Sequence, residues 1–85
     1  MVTLYILRTS NNSFYVGVTN NLDHRIARHK AGTGAEFTKR NKVEKCVYTE
    51  KFDTLLQARY RETQIKGWSR LKKENLIKFG KPFIT

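Results

Sequence analysis

Two runs of apolar, aromatic and β-branched residues, TLYILRT (3–9) and FYVGVT (14–19), flank the short polar sequence SNNS. Runs of that kind around a tight polar turn predict an antiparallel β-hairpin. The second run carries a glycine two residues after its tyrosine. Glycine in the interior of a strand or helix costs roughly 0.5–1 kcal/mol relative to alanine. Gly17 therefore needs a reason beyond the turn chemistry.

From Leu22 onward the period changes. Leu22 and Ile26 lie four apart in LDHRIARHKAG, which predicts a helix capped by Asn20 or Asn21 and ended by Gly32. GTGAEFTKRNK (32–42) reads as a basic, glycine-containing loop, and VEKCVYTEKF (43–52) as a third strand. Thr54 with Gln57 three residues on forms a capping box, opening a second helix that runs to about Lys66, near Gly67. WSRLKKENLIKF (68–79) predicts a further helix with Ser69 as its cap, and in the closing GKPFIT Pro82 stops helical continuation. The expected fold is α+β: one domain over residues 1–85, with 80–85 as a short tail. Its order is β-β-α-β-α-α, a small three-stranded antiparallel sheet flanked by helices.

A chain of 85 residues buries roughly 60% of its unfolded surface, so the core must be small and single. A hydrophobic share of 39%, with 12% aromatic, supports folding and excludes a disordered tail. Seventeen Lys and Arg against seven Asp and Glu give a net charge of +10. Such a field attracts polyanions in a salt-dependent way. No apolar run approaches the roughly 18–20 residues of a membrane span. Arg8 interrupts the N-terminal apolar stretch, so no signal-peptide pattern is expected. Nucleic acid is the leading partner, with no membrane. Cys46 is the one cysteine, which fits a reducing, cytoplasmic setting, and its strand-like neighbours suggest a small core residue. One cysteine with His24 and His29 does not supply a structural zinc site.

Several polar residues fall where apolar ones belong. On the second helix Leu55, Ala58, Glu62 and Ile65 share a face, with Glu62 in the middle of the stripe. A carboxylate there is costly without a cation or metal beside it; the plain alternative is a salt bridge or a side chain that reaches out to solvent. Arg25 and His29, at i and i+4, project from one side of the first helix next to the Leu22–Ile26 stripe. Tyr5 and Tyr15 lie on strands of the same expected sheet. Each alone has an ordinary structural explanation, a solvated helix edge or a core tyrosine. Together they bring phenol, guanidinium, imidazole and carboxylate towards one cleft.

The pieces TLYIL (3–7), YVG (15–17), LDHRIARH (22–29) and ARYRETQIKGWSRLKKENLI (58–77) occur in the order of a known pattern. The chain resembles the GIY-YIG endonuclease superfamily. The likeness is strongest to its small stand-alone members, related to the catalytic domain of structure-specific endonuclease subunits that cut branched DNA. The resemblance implies that Tyr5 and Tyr15 are the signature tyrosines and Gly17 the signature glycine. It makes Arg25 the signature arginine, His29 its companion and Glu62 the metal ligand, with Asn75 a weaker candidate. The first motif keeps its tyrosine but not its glycine, reading Thr3-Leu4-Tyr5, and YVG has valine for isoleucine. Val18 stands where some relatives carry a lysine, which leaves more of the phosphate contact to Arg25 and His29.

The chemistry implied is metal-dependent hydrolysis of DNA phosphodiester bonds, in DNA repair or recombination. Of seven acids, only Glu62 sits on a stripe that should be enclosed, so one Mg²⁺ (or Mn²⁺) is expected. Arg25 would grip the phosphate with its planar fork. The general base stays open among Tyr5, Tyr15 and His29, because a phenol near pKa 10 accepts a proton only where cations depress that value. Gly17 would let the backbone approach the substrate. Lys39, Arg40, Lys42, Lys66, Arg70, Lys72 and Lys73 would hold the DNA backbone. Phe37 and Trp68 are candidates for stacking on a base, Trp68 more readily as core. No base-reading element is evident, so structure-selective cutting of branched or flapped DNA is expected, with a targeting protein as possible partner. Two alternatives remain: a non-catalytic nucleic-acid-binding module, and a small basic RNA-associated protein.

Overall fold

A computed structural model describes residues 1–32 and 41–80. The elements are β1 (Val2–Thr9), β2 (Phe14–Thr19), α1 (Leu22–Lys30), β3 (Val43–Phe52), α2 (Leu55–Lys66) and α3 (Arg70–Phe79). This is the expected β-β-α-β-α-α order. The sheet is antiparallel with strand order β2-β1-β3, so β1 is central. In the turn, Asn12 N donates to Thr9 O at 2.9 Å and takes a positive φ of 64°. Asparagine tolerates that left-handed conformation better than most residues.

Alternation along β1 sorts the core into two halves. Leu4 and Ile6 pack with Val16 and Val18 of β2, Ala58 and Ile65 of α2, and Leu76 of α3. Tyr5 and Leu7 face the other way, with Val43, Tyr15, Cys46 and the α1 residues Leu22 and Ile26. The sheet thus lies between α1 on one face and α2 with α3 on the other. Val18 belongs to the α2 side, facing away from Tyr15.

Helix ends follow the local chemistry. Asn21 caps α1, its side chain accepting from His24 N at 3.1 Å, and Gly32 beyond the helix takes φ 77°. The Thr54–Gln57 capping box is formed in both directions. Ser69 caps α3, which closes at Gly80 in the left-handed conformation. The α2 stripe holds for Ala58, Glu62 and Ile65, which are buried, but Leu55 is 52% exposed. Leu55 is the first helical residue, at the margin of the stripe, and its side chain passes beyond the core. Cys46 is half-buried against the Tyr5–Leu7 cluster, close to its expected role.

Candidate active site

Tyr5 is the centre of the α1 face. It pairs across the hairpin with Gly17, and its ring occupies the space where a side chain on Gly17 would sit. A Cβ at Gly17 would lie 2.5 Å from the Tyr5 hydroxyl, 2.7 Å from its Cζ and 3.1 Å from the Tyr15 ring. No side chain fits so close to a buried phenol, which is the reason for the glycine. The sequence suggested that Gly17 clears the backbone for a substrate; in the fold it clears the backbone for Tyr5.

Tyr5, Tyr15 and His29 form a cluster of three tilted rings, with centroids 6.3 Å (Tyr5–Tyr15), 5.8 Å (Tyr5–His29) and 5.0 Å (Tyr15–His29) apart. Tyr5 is fully buried and His29 2% exposed, while Tyr15 is half-buried. Thus Tyr15 lies at the rim and the Tyr5–His29 pair beneath it. His29 is therefore no solvated helix edge. The Tyr5 hydroxyl and His29 Nε2 are 3.0 Å apart.

Arg25, one turn before His29, lies near enough for its guanidinium charge to act on the Tyr5 hydroxyl. Burial, with the charges of Arg25 and Arg28 behind it, lowers the His29 pKa below its ordinary 6.5, leaving a neutral imidazole at pH 7. Burial foremost, then the neighbouring Tyr15, pushes the Tyr5 phenol up to about 12, against the nearby Arg25 guanidinium. A neutral phenol beside a neutral imidazole is best paired with Tyr5 O–H donating to Nε2, and we assign the imidazole proton to Nδ1 on that pattern. For Tyr5 the shift is opposite to the depression that a tyrosine base requires, because desolvation outweighs the nearby cation.

Glu62 comes from α2, which packs against β2 and β1. Its side chain is 11% exposed, and its negative charge adds to the upward push on Tyr5. Glu62 is therefore within electrostatic reach of the phenol. It is also paired, with Lys66 Nζ 3.0 Å from Oε2 and Arg59 Nη1 3.5 Å from Oε1. The salt bridge anticipated as the plain explanation of Glu62 is present, with two helix neighbours as partners. Lys66 was expected at DNA; Arg59 was not singled out, although its i, i+3 spacing to Glu62 was a readable signal.

The other basic candidates divide. Lys42 and Lys72 are exposed and Lys73 is half-buried. Arg70 is engaged within the fold, bonded to Glu74 at 3.1 Å and lying 4.5 Å from the Phe14 ring centroid. Asn75 is half-buried on α3. Trp68 packs against the core, with the Arg61 guanidinium 5.1 Å from its ring centroid, as its core-packing alternative had it. Lys39, Arg40 and Phe37 lie outside the described residues.

The family model for the GIY-YIG catalytic domain matches residues 1–75, covering every member of this cluster. The chain belongs to the GIY-YIG family. A UPF0213 protein of Natronomonas pharaonis is 40% identical over 74 residues, covering 87% of each chain. One from Staphylococcus haemolyticus is 42% identical over 74 residues, covering 87% of this chain and 90% of its own. The solution NMR structure of a UPF0213 protein from Bacillus halodurans matches with a TM-score of 0.55 and 34% identity, over 91% of this chain and 83% of that one. GIY-YIG membership supports a nuclease, a phosphodiester hydrolase with DNA as substrate, and nucleases of this family generally use divalent metal ions. Among the described residues no helix is long and apolar enough to cross a membrane.

Proposed function

We propose that this GIY-YIG protein is a metal-dependent DNA endonuclease, selective for DNA structure more than for sequence, acting in repair or recombination in a reducing, cytoplasmic setting. The observation that carries the reading is the Tyr5–His29 hydrogen bond buried beneath Tyr15, with the Arg25 charge acting on the same phenol from the rim. A fold needing only a stable core has little use for two linked polar groups there, since buried polar groups must be satisfied one by one.

The donor chemistry fits a hydrated Mg²⁺ or Mn²⁺. Among the described residues no three His, Cys, Asp or Glu gather, which disfavours a zinc-type ligand set. A hard cation that keeps most of its waters is satisfied by one carboxylate plus substrate phosphate, and Glu62 is the one buried acid among the described residues. When bound at Glu62, the ion supplies Lewis-acid stabilisation of the phosphoryl oxygens.

The protein's own groups do the rest. Arg25, half-buried at the rim, binds the scissile phosphate. The attacking water gives its proton to the Tyr5 oxygen as Tyr5 passes its own to His29 Nε2, so the phenol never has to carry a charge. His29, neutral at pH 7, is then the final acceptor. Tyr15 covers the pair and opens with the incoming backbone. Lys42, Lys72 and Lys73 hold the flanking phosphates, contacts that position the backbone without specifying sequence, in keeping with branched or flapped substrates. A targeting protein would direct the small domain to such junctions.

A second reading is favoured by the pairing of Glu62 with Arg59 and Lys66: a module that keeps the fold, binds nucleic acid and does not cut. Single-stranded, duplex and branched DNA and structured RNA, each tried with and without Mg²⁺ or Mn²⁺, separate the two. Metal-dependent cleavage of branched DNA supports the endonuclease. Salt-sensitive binding without turnover on every substrate supports the module.

A further inference from the structure

The candidate metal ligand carries an unusual arrangement: its two carboxylate oxygens are held by different cations. Lys66 Nζ lies 3.0 Å from Oε2 and Arg59 Nη1 3.5 Å from Oε1, at i+4 and i−3 on the same helix. The carboxylate is nearly enclosed, at 11% exposure, whereas the Lys66 and Arg59 side chains are 54% and 62% exposed. The acid is thus fixed in place and its partners stand at the surface, on stems long enough to turn elsewhere.

A divalent ion approaching Glu62 meets two positive charges already there. Like charges at short range oppose its binding, and each oxygen it takes must first be given up by a cation. A phosphodiester removes both obstacles, because guanidinium and ammonium groups bind phosphate at least as well as carboxylate. Helix-surface pairs of this spacing are weak enough to exchange.

We propose that Arg59 and Lys66 are metal-site placeholders that move from Glu62 to the substrate's phosphate, so that the divalent ion and the anionic substrate bind cooperatively. This rests on the reading of Glu62 as the metal-holding carboxylate. Without an anion the two cations keep Glu62 oriented and poorly receptive to metal. With a phosphate present they would leave the carboxylate, and Glu62 would then be open to hold a divalent ion. By linkage the coupling is reciprocal: the anion raises metal affinity by the same factor as the metal raises anion affinity. The arrangement ties metal loading to substrate and keeps a free protein from holding an activated ion.

The test is Mn²⁺ binding to the DNA-free full chain, read from the free-ion electron paramagnetic resonance signal, for the wild type, R59M, K66M, the double variant and E62Q. Both placeholders are surface side chains, so these variants are expected to fold, with circular dichroism as the check. Removing either cation is expected to tighten Mn²⁺ binding about three- to tenfold, and removing both to tighten it further. Sulfate against chloride at matched ionic strength, as a probe oxyanion, is expected to tighten binding to the wild type and not to the double variant. If E62Q loses Mn²⁺ binding while R59M and K66M bind no tighter than the wild type, the placeholder role is overturned and the metal role of Glu62 stands. If E62Q binds Mn²⁺ like the wild type, both are overturned.

Discussion

The Tyr5 hydroxyl and His29 Nε2 lie 3.0 Å apart, tying the central strand to a helix through two almost fully buried side chains. Breaking that bond leaves an unsatisfied acceptor inside the protein, a cost of about 1–3 kcal/mol. Y5F is therefore expected to lower stability by that amount at pH 7 and to reduce cleavage, while DNA affinity stays near the wild type. Urea unfolding, cleavage rate and fluorescence anisotropy read the three quantities. Unchanged cleavage by Y5F removes Tyr5 from the proton path.

The same tyrosine sets an alkaline limit. A folded pKa raised to about 12 from 10 contributes stability that is complete below pH 10 and is lost as pH climbs through 12. The contribution is on the order of 2–3 kcal/mol. Tyr48, pushed up to about 12 by burial and then by Glu50, acts in the same window. The comparison is accordingly between wild type and Y5F at pH 8 and pH 11. The wild type is expected to lose more stability over that interval, and equal losses contradict the buried Tyr5 phenol.

His29 has the opposite sign. Its folded pKa is lowered by burial and by Arg25 and Arg28. The stability it contributes is complete above the unfolded value near 6.5 and is lost as pH falls through the lower folded value. Imidazole resonances in a pH titration by NMR are expected to show His29 titrating below the ordinary 6.5. R25A is expected to shift His29 upward by removing one of the charges that hold it down. Activity limited by His29 follows the same curve, with its acid limb below pH 6.5.

Gly17 leaves no room for even a methyl group. In G17A the new methyl group falls 2.5 Å from the Tyr5 hydroxyl. Overpacking of this kind costs about 1–3 kcal/mol. The variant is expected to unfold more easily and to lose cleavage with its Tyr5–His29 bond. Combining it with Y5L relieves the clash, so the two substitutions are expected to be less destabilising together than their sum. Additive costs mean that the glycine serves something other than the phenol.

Much of this was legible in the chain. The hairpin, the order of elements, the caps at Thr54 and Ser69, and a cap at Asn20 or Asn21 (Asn21 in the fold) follow from period and local hydrogen-bonding chemistry, which act within a few residues. Spacing also put Glu62 on the buried face of α2 and Arg25 one turn from His29. What spacing does not carry is depth across the sheet. It did not reveal that His29 is buried, that Tyr5 is too desolvated to ionise readily, or that the room above Gly17 belongs to a neighbouring phenol. These depend on pairing Tyr5 with Gly17 and docking α1 on that face, both long-range events. Leu55 shows the converse, an apolar residue in phase with a stripe but beyond the edge of what the stripe covers.

The most direct measurement is cleavage of a branched DNA by wild type and E62Q in Mg²⁺ or Mn²⁺, with DNA affinity taken alongside. Glu62 is nearly enclosed and its charge reaches Tyr5. Removing that charge is expected to abolish cutting and leave DNA binding almost intact. Equal cleavage by the two proteins, or no cleavage of any substrate by the wild type, contradicts the assignment of this cluster as a nuclease centre.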